Sequence, residues 1–268
     1  MNIHFKDKKL FEKFKEAALV RITIGSTMYG IDHIDSDIDY LYILPTAKNE
    51  LNSFQRSHHQ LQFHEKGIDH MFTSLHSFLW NSINGDSTIN YECIQSNALM
   101  GSQLEFLHEI SGIFSNYKTV RSYLGLARRD GKHYYKDTSD AAQIKKLIHI
   151  MRGYFFARDI MSNGFLDVKN SEVIDNARII RTMKKGVERK QFLKLYLDSV
   201  SGLRDLLNEK LNNQNLGLDQ FMDPKGQQDL DECLNILIRS NKYTEKQKIL
   251  GDLDLSLFYE ANENWVQY

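Results

Sequence analysis

Gly25-Ser26-Thr27-Met28-Tyr29-Gly30-Ile31-Asp32-His33-Ile34-Asp35-Ser36-Asp37-Ile38-Asp39-Tyr40 is the stretch on which the reading of this chain turns. It stands between two apolar runs. Leu19-Val20-Arg21-Ile22-Thr23-Ile24 before it is short and β-branched, as a buried strand is. Ile38 to Leu44 after it is a second strand candidate with two tyrosines, closed by Pro45. A glycine at position 25 lets the backbone approach a phosphate closely, and the Ser26 hydroxyl and nearby amides can donate to its oxygens. Asp37 and Asp39, two apart at the start of the second strand, place their carboxylates on one face, with Ile38 turned into the core. Such a pair repels itself unless a cation sits between the two. Magnesium suits it, being a hard ion held by a few carboxylates plus substrate phosphates. Asp-x-Asp alone is common in solvated turns. The ordered series of strand, Gly-Ser, polar loop, Asp-Ile-Asp and apolar strand is what carries information.

Upstream, Leu10, Phe11, Phe14, Ala17 and Ala18 recur at helical spacing among lysines and glutamates, so Met1 to Lys15 reads as an amphipathic start with no apolar signal core. Downstream, Gln60–His64 and Gly67–Thr73 read as strands joined by Glu65-Lys66-Gly67. From Ser74 onward the pattern is helical, over 74–81, 103–111, 117–135, 139–162, 171–183, 188–212 and 227–240. The expected architecture is therefore α+β: a small mixed sheet in residues 1–100, followed by an all-helical lobe in 101–268. No Gly-, Ser- or Pro-rich linker marks the boundary, so the two parts are expected to pack tightly.

Composition narrows the classes. The 268 residues hold 34 Lys and Arg against 35 Asp and Glu, a net charge of −1, which excludes a globally basic nucleic-acid coat but not a local patch. Two cysteines, Cys93 and Cys233, exclude a disulfide framework and fit a reducing compartment, so a cytoplasmic protein is expected. The apolar runs are too short and too often broken by charge to span a membrane.

Gly25-Ser26 and Asp37-Ile38-Asp39 together resemble the DNA polymerase β-type nucleotidyltransferase superfamily, whose pattern is a strand, Gly-Ser, a spacer and Asp-hydrophobic-Asp. Gly25-Ser26-x-x-Tyr29-Gly30 followed by Asp35-Ser36-Asp37-Ile38-Asp39 is similar to a bacterial and viral branch of predicted nucleotidyltransferases, some of them associated with RNA repair. Gly85 to Glu92, Tyr123-Leu124-Gly125-Leu126-Ala127-Arg128-Arg129 and Lys145-Lys146-Leu147 to Arg152 resemble later segments of that branch, and the likeness covers roughly residues 19 to 160. Thr27 departs from it, standing where the branch often has Arg. The resemblance implies a polymerase β-like lobe that moves a nucleoside monophosphate from a nucleoside triphosphate to an acceptor hydroxyl, with an RNA end among the acceptors. Transfer to a protein or small molecule, or nucleotide binding without turnover, are the alternatives. It implies two magnesium (or manganese) ions held by Asp37 and Asp39, with a third carboxylate from a later strand. Asp69, set among apolar residues, is the candidate, since an unpartnered Asp there is expensive.

Lys118 to Asp159 carries ten basic residues against four acidic ones, in a chain close to neutral. Arg121, Arg128 and Arg129, near one helix face, and Lys145 and Arg152, seven apart, are the candidate nucleotide-binding cations, with Gly25, Ser26 and Tyr29 on the other side. Tyr123, Tyr134 and Tyr135 could stack on a base or pack in the core. His58, His59, His64 and His70 cluster near the later strands without zinc spacing and read as surface or strand-edge residues. His70 adjoins Asp69 but should face the opposite side of its strand. Glu92 reads as a weak site candidate that could simply support its helix start.

Overall fold

The structure is a computed structural model that describes residues 2–4, 6–32, 36–46, 60–137, 139–213 and 224–251. Asp35 of the quoted motif, and His58 and His59, lie outside them. Strands β1 (Asn2–His4), β2 (Val20–Ile24), β3 (Asp39–Leu44), β4 (Gln60–Glu65) and β5 (Ile68–Ser74) form one mixed sheet in the order β1-β4-β5-β3-β2. β3 runs parallel to β5 and antiparallel to β2; β4 and β5 form a hairpin; β1 joins β4 in parallel at the edge. The hairpin turn is Lys66-Gly67, both at positive φ (52° and 81°), the backbone that matches the twist of a two-residue connection.

Helix α1 (Lys8–Ala17) starts at Asp7, whose side chain accepts the amides of Lys9 and Leu10 at 2.9 and 3.2 Å, an N-cap worth about 1 kcal/mol. Its apolar stripe lays Phe11 and Phe14 under the sheet against Phe63, Phe72 and Tyr42; the Phe11 and Phe63 rings stack at 4.2 Å. The other face of the sheet carries α2 (Leu75–Ile83) and α3 (Thr88–Gln95), capped by Ser74 and Ser87. The long pair α5 (Tyr117–Tyr134) and α6 (Asp140–Asn163) packs as an antiparallel hairpin, with α7 (Ser171–Thr182) and α8 (Val187–Asn213) against α6. α6 ends at Gly164 in the left-handed conformation, the usual glycine stop. One apolar core runs without a break from Ile22 and Leu41 in the sheet through Tyr123 and Phe156 to Val200 and Leu237. Among the described residues no helix is long and apolar enough to cross a membrane.

The α+β plan is as expected, with several differences. Asn2–His4 is a strand: three residues give too short an alternation to stand out from the Lys-rich helix that follows. The expected helix over 103–111 is broken. A turn leads into the short α4 (Phe106–Glu109), then a 3₁₀ turn at Ser111–Phe114, because Ser111-Gly112 does not favour extending the α-helix. The expected helix ranges do not include α3 or α10 (Asn241–Leu250), which follows α9 (Pro224–Arg239). α10 returns to the sheet lobe. Its Tyr243 hydroxyl accepts the Thr46 amide at 3.0 Å, and the Gln247 amide donates to the Thr46 carbonyl at 3.1 Å.

Candidate active site

The site grows from the ends of β2, β3 and β5. Gly25 closes β2 at φ 75° and opens a 3₁₀ turn through Thr27. Met28 N–H returns to the Gly25 carbonyl at 3.1 Å and Ile31 N–H to Ser26 at 3.1 Å. A Cβ added to Gly25 would stand 3.1 Å from Oδ2 of Asp39, so the absence of a side chain keeps the space before that carboxylate open. Asp39 is the first residue of β3, and its register partner on β5 is Asp69. Two carboxylates thus sit side by side on neighbouring parallel strands. Burial, and then the charges of Asp69 and Asp37, push the Asp39 carboxyl above its ordinary value; Lys145 on α6 and a backbone hydrogen bond from Asp69 pull the other way. Asp37 is exposed on the irregular approach to β3. Ile38 is 44% exposed, contrary to the inward orientation expected for it. The strand starts one residue later than its apolar pattern, so the alternation of faces does not yet hold at Ile38.

Asp69 has a partner that the spacing of the histidines does not point to. His64 Nδ1 lies 2.8 Å from Asp69 Oδ1, with side chains 60% and 41% exposed. A three-residue connection over 65–67 sets residue 64 opposite 68. The observed two-residue turn pairs Glu65 with Ile68 and therefore His64 with Asp69. His70 does face the other way, buried against Phe11 and within 3.2 Å of the Tyr42 hydroxyl.

Tyr29, three residues after Ser26, lies behind the site. Its buried hydroxyl donates to Glu92 on α3, as does that of Tyr123 on α5 at 2.8 Å. The Arg152 guanidinium stacks 4.0 Å from the Tyr29 ring centroid. Glu92 is 0% exposed. Burial pushes its carboxyl up, against Arg152 and the two hydroxyls, which favour the charged form. Tyr29, Glu92, Tyr123 and Arg152 thus form one internal knot that ties the Gly25–Ile31 loop to three helices. The Arg181 side chain at the end of α7 also donates to the Ile31 carbonyl.

Of the other basic candidates, Lys145 is exposed and acts on Asp39, while Arg121, Arg128 and Arg129 are exposed on α5. Tyr123 and Tyr134 are core residues, and Tyr135 is exposed. The surface depressions on α9 (about 440 Å³) and between α7 and α8 (about 510 Å³) include none of these residues.

Carboxylate oxygens are the donor type that a hard cation takes. Asp39 is held near Asp69 and Asp37, and among the described residues no three metal-ligating side chains are gathered around one point. A mixed sheet that carries Gly-Ser after one strand and carboxylates at the starts of the next two is the plan of a polymerase β-type nucleotidyltransferase. Residues 7–235 match the RNA repair pathway DNA polymerase beta family, and the chain belongs to it; it is a nucleotidyltransferase. No curated protein matches the sequence significantly. Among solved structures, a nucleotidyltransferase-like protein from Exiguobacterium sibiricum 255-15 aligns over 94% of this chain and 90% of its own at 12% identity. The TM-score is 0.27, too loose a superposition to carry argument.

Proposed function

We propose that this enzyme transfers a nucleoside monophosphate from a nucleoside triphosphate to a hydroxyl at an RNA end. The observation that carries the reading is the pairing of Asp39 with Asp69 across parallel strands, in front of the side-chain-free Gly25. Asp37, Asp39 and Asp69 would hold magnesium, which when bound supplies charge neutralisation for the transferring phosphoryl group. The 3₁₀ turn at Gly25-Ser26 presents a hydroxyl and amides to phosphate oxygens. Asp69, fixed by His64, lies on the acceptor side. The acceptor oxygen bonds to the α-phosphorus as the bond from that phosphorus to its bridging oxygen breaks. Pyrophosphate leaves with the electron pair, and the hydroxyl proton passes to water. Residues 1–100 carry the carboxylates in this reading, and the helical residues that follow supply the basic wall with Lys145, Arg128 and Arg129. Family membership supports an RNA acceptor, as does the excess of basic residues over Lys118 to Asp159.

The test is incubation of the protein with each labelled triphosphate, magnesium and a panel of RNA ends, proteins and small hydroxyl compounds. Label on RNA is the expected result. Label only on protein or a small molecule overturns the RNA acceptor, and no transfer to anything overturns the reaction.

A further inference from the structure

The scheme above uses only part of the charged face of α5. Every exposed charged side chain on this helix is basic, and Lys136 just past its end adds one more. The acid of the helix, Asp130, is buried. Its Oδ2 lies 3.1 Å from Nδ1 of His149 on α6, and its Oδ1 lies 3.6 Å from Arg129 Nε and 3.8 Å from Lys146 Nζ. Asp137 is drawn the same way, 3.5 Å from Lys146. The acids are thus held toward α6, and among the described residues Arg121, Arg128, Lys132 and Lys136 are in no ion pair. By contrast, α6, α7, α8 and α9 each show exposed charges of both signs.

Spacing turns those cations into a line. Arg121, Gly125, Arg128, Lys132 and Lys136 follow one another at steps of four, three, four and four, so they share one face. Like charges a turn apart repel and weaken a helix, so the line costs stability until something anionic lies on it. Arg121 and Lys136 are fifteen residues apart, about 22 Å along the axis. A stacked single strand advances about 3.4 Å per phosphate, so the line matches about six nucleotides. A Cβ added at Gly125 would meet nothing within 4 Å, so the middle of the line is open and a strand can come close to the helix. Beside the far end, Tyr135 is 66% exposed, with its ring edge-on to Tyr134 at 5.2 Å, a presentation that suits a stacking base. The hairpin with α6 shows which end meets the site. Gly153 lies against Tyr123 and Ala127, and His149 against Asp130, so Lys145 is level with Tyr134. Lys145 also acts on Asp39. The Lys132–Lys136 end is therefore nearest the carboxylates, and Arg121 lies farthest from them.

We propose that this face of α5 is the track for the single-stranded backbone of the acceptor RNA, with the acceptor end at Lys132, Tyr135 and Lys136 and the rest of the strand running toward Arg121. This rests on the RNA-acceptor reading and adds where the strand lies and how long a strand the protein grips. The phosphates neutralise the line, relieve its repulsion and release their own counterions. The base nearest the acceptor end stacks on Tyr135. No bond is made or broken here: the track sets the affinity for the acceptor and leaves transfer to the carboxylates.

The experiment is binding of the full chain to fluorescent single-stranded RNAs that share one end sequence and run from about two to about twelve nucleotides, at several salt concentrations, with transfer assays on the same RNAs. Wild-type affinity should rise with length up to about six nucleotides and then level. Lys132→Gln combined with Lys136→Gln should weaken binding of the longest RNA about tenfold and make the log–log salt slope shallower by about 1.4, two contacts at about 0.7 each. The loss should shrink as the RNA shortens, and the KM for the triphosphate should stay within about twofold. Tyr135→Ala should also weaken RNA binding about tenfold, with the salt slope unchanged, because stacking releases no counterions. Lys9→Gln combined with Lys13→Gln is the control: both lysines are exposed at the same four-residue spacing on α1, under the other face of the sheet. That pair should leave RNA binding within about twofold. Affinity that does not grow with length, or equal losses in the α5 and α1 pairs, overturns the track and leaves the RNA acceptor standing. Label transferred only to protein or a small molecule, with no RNA bound by wild type at low salt, overturns both.

Discussion

One buried carboxylate and three at the strand ends are treated in opposite ways in this molecule. Glu92 is sealed in the core, and its oxygens are taken by the Tyr29 and Tyr123 hydroxyls, with Arg152 nearby. Asp37, Asp39 and Asp69 stand at the strand ends with water at hand; burial and the charges of Asp69 and Asp37 raise the proton affinity of Asp39, and His64 lies on Asp69. A buried charge without partners is expelled or neutralised, so the saturation of Glu92 is what lets it persist in the fold. Partly exposed carboxylates left short of cations are instead ready to receive one. The deeper, better-bonded group holds the loop, and the shallower, strained group is where chemistry is expected.

The sharpest way to break this comparison is to remove one charge from each group. Asp39→Asn should cut transfer by about a thousandfold or more, the scale of losing a group that stabilises charge in the reaction. Its thermal unfolding should be unchanged or raised, because repulsion is relieved. Normal activity in this variant refutes the site. Glu92→Ala should do the reverse in kind. It should cost about 3–5 kcal/mol of stability, since two buried hydroxyls lose their acceptor and a buried guanidinium loses the negative charge near it, and denaturant unfolding measures it. A near-neutral result would show that the knot around Glu92 does not hold the loop.

Gly25→Ala tests the space between the two groups. An alanine at φ 75° costs about 1–2 kcal/mol, and its methyl meets Asp39 Oδ2 at 3.1 Å. Divalent-metal affinity, read by calorimetry, should fall along with stability. The smallest effect concerns pH. Folded Asp39 keeps its proton to higher pH than the unfolded chain does. In the window between the two values the native state binds more protons, so metal-free stability should fall as pH rises through it and stay low above. Asp39→Asn should flatten that part of the profile, and saturating magnesium, binding only the native state, should raise the wild-type Tm above it. Profiles that superimpose with and without the substitution would leave Asp39 uncoupled from Asp37 and Asp69.

The residue pattern alone located the Gly25-Ser26 turn, Asp37 and Asp39, the strands from Val20 to Ser74 within a residue or so, and the helices from Tyr117 to Asn213. Those features depend on neighbours in sequence: β-branched runs, caps such as Asn116 and Ser139, and repeats at helical spacing. What the tertiary structure decided depends on partners far along the chain. Asp69 meets Asp39 only through the parallel register of β5 on β3, and His64 meets Asp69 only because the hairpin turn is two residues long instead of three. Tyr29 and Arg152 look like ligand contacts in the pattern, yet they pack together behind the site on Glu92, because burial of that carboxylate recruits the nearest donors and cation. Asp130 selects His149 in the same way, across the α5–α6 hairpin. Local periodicity specifies which face a residue occupies. Register and the need to satisfy buried charge specify what that face meets.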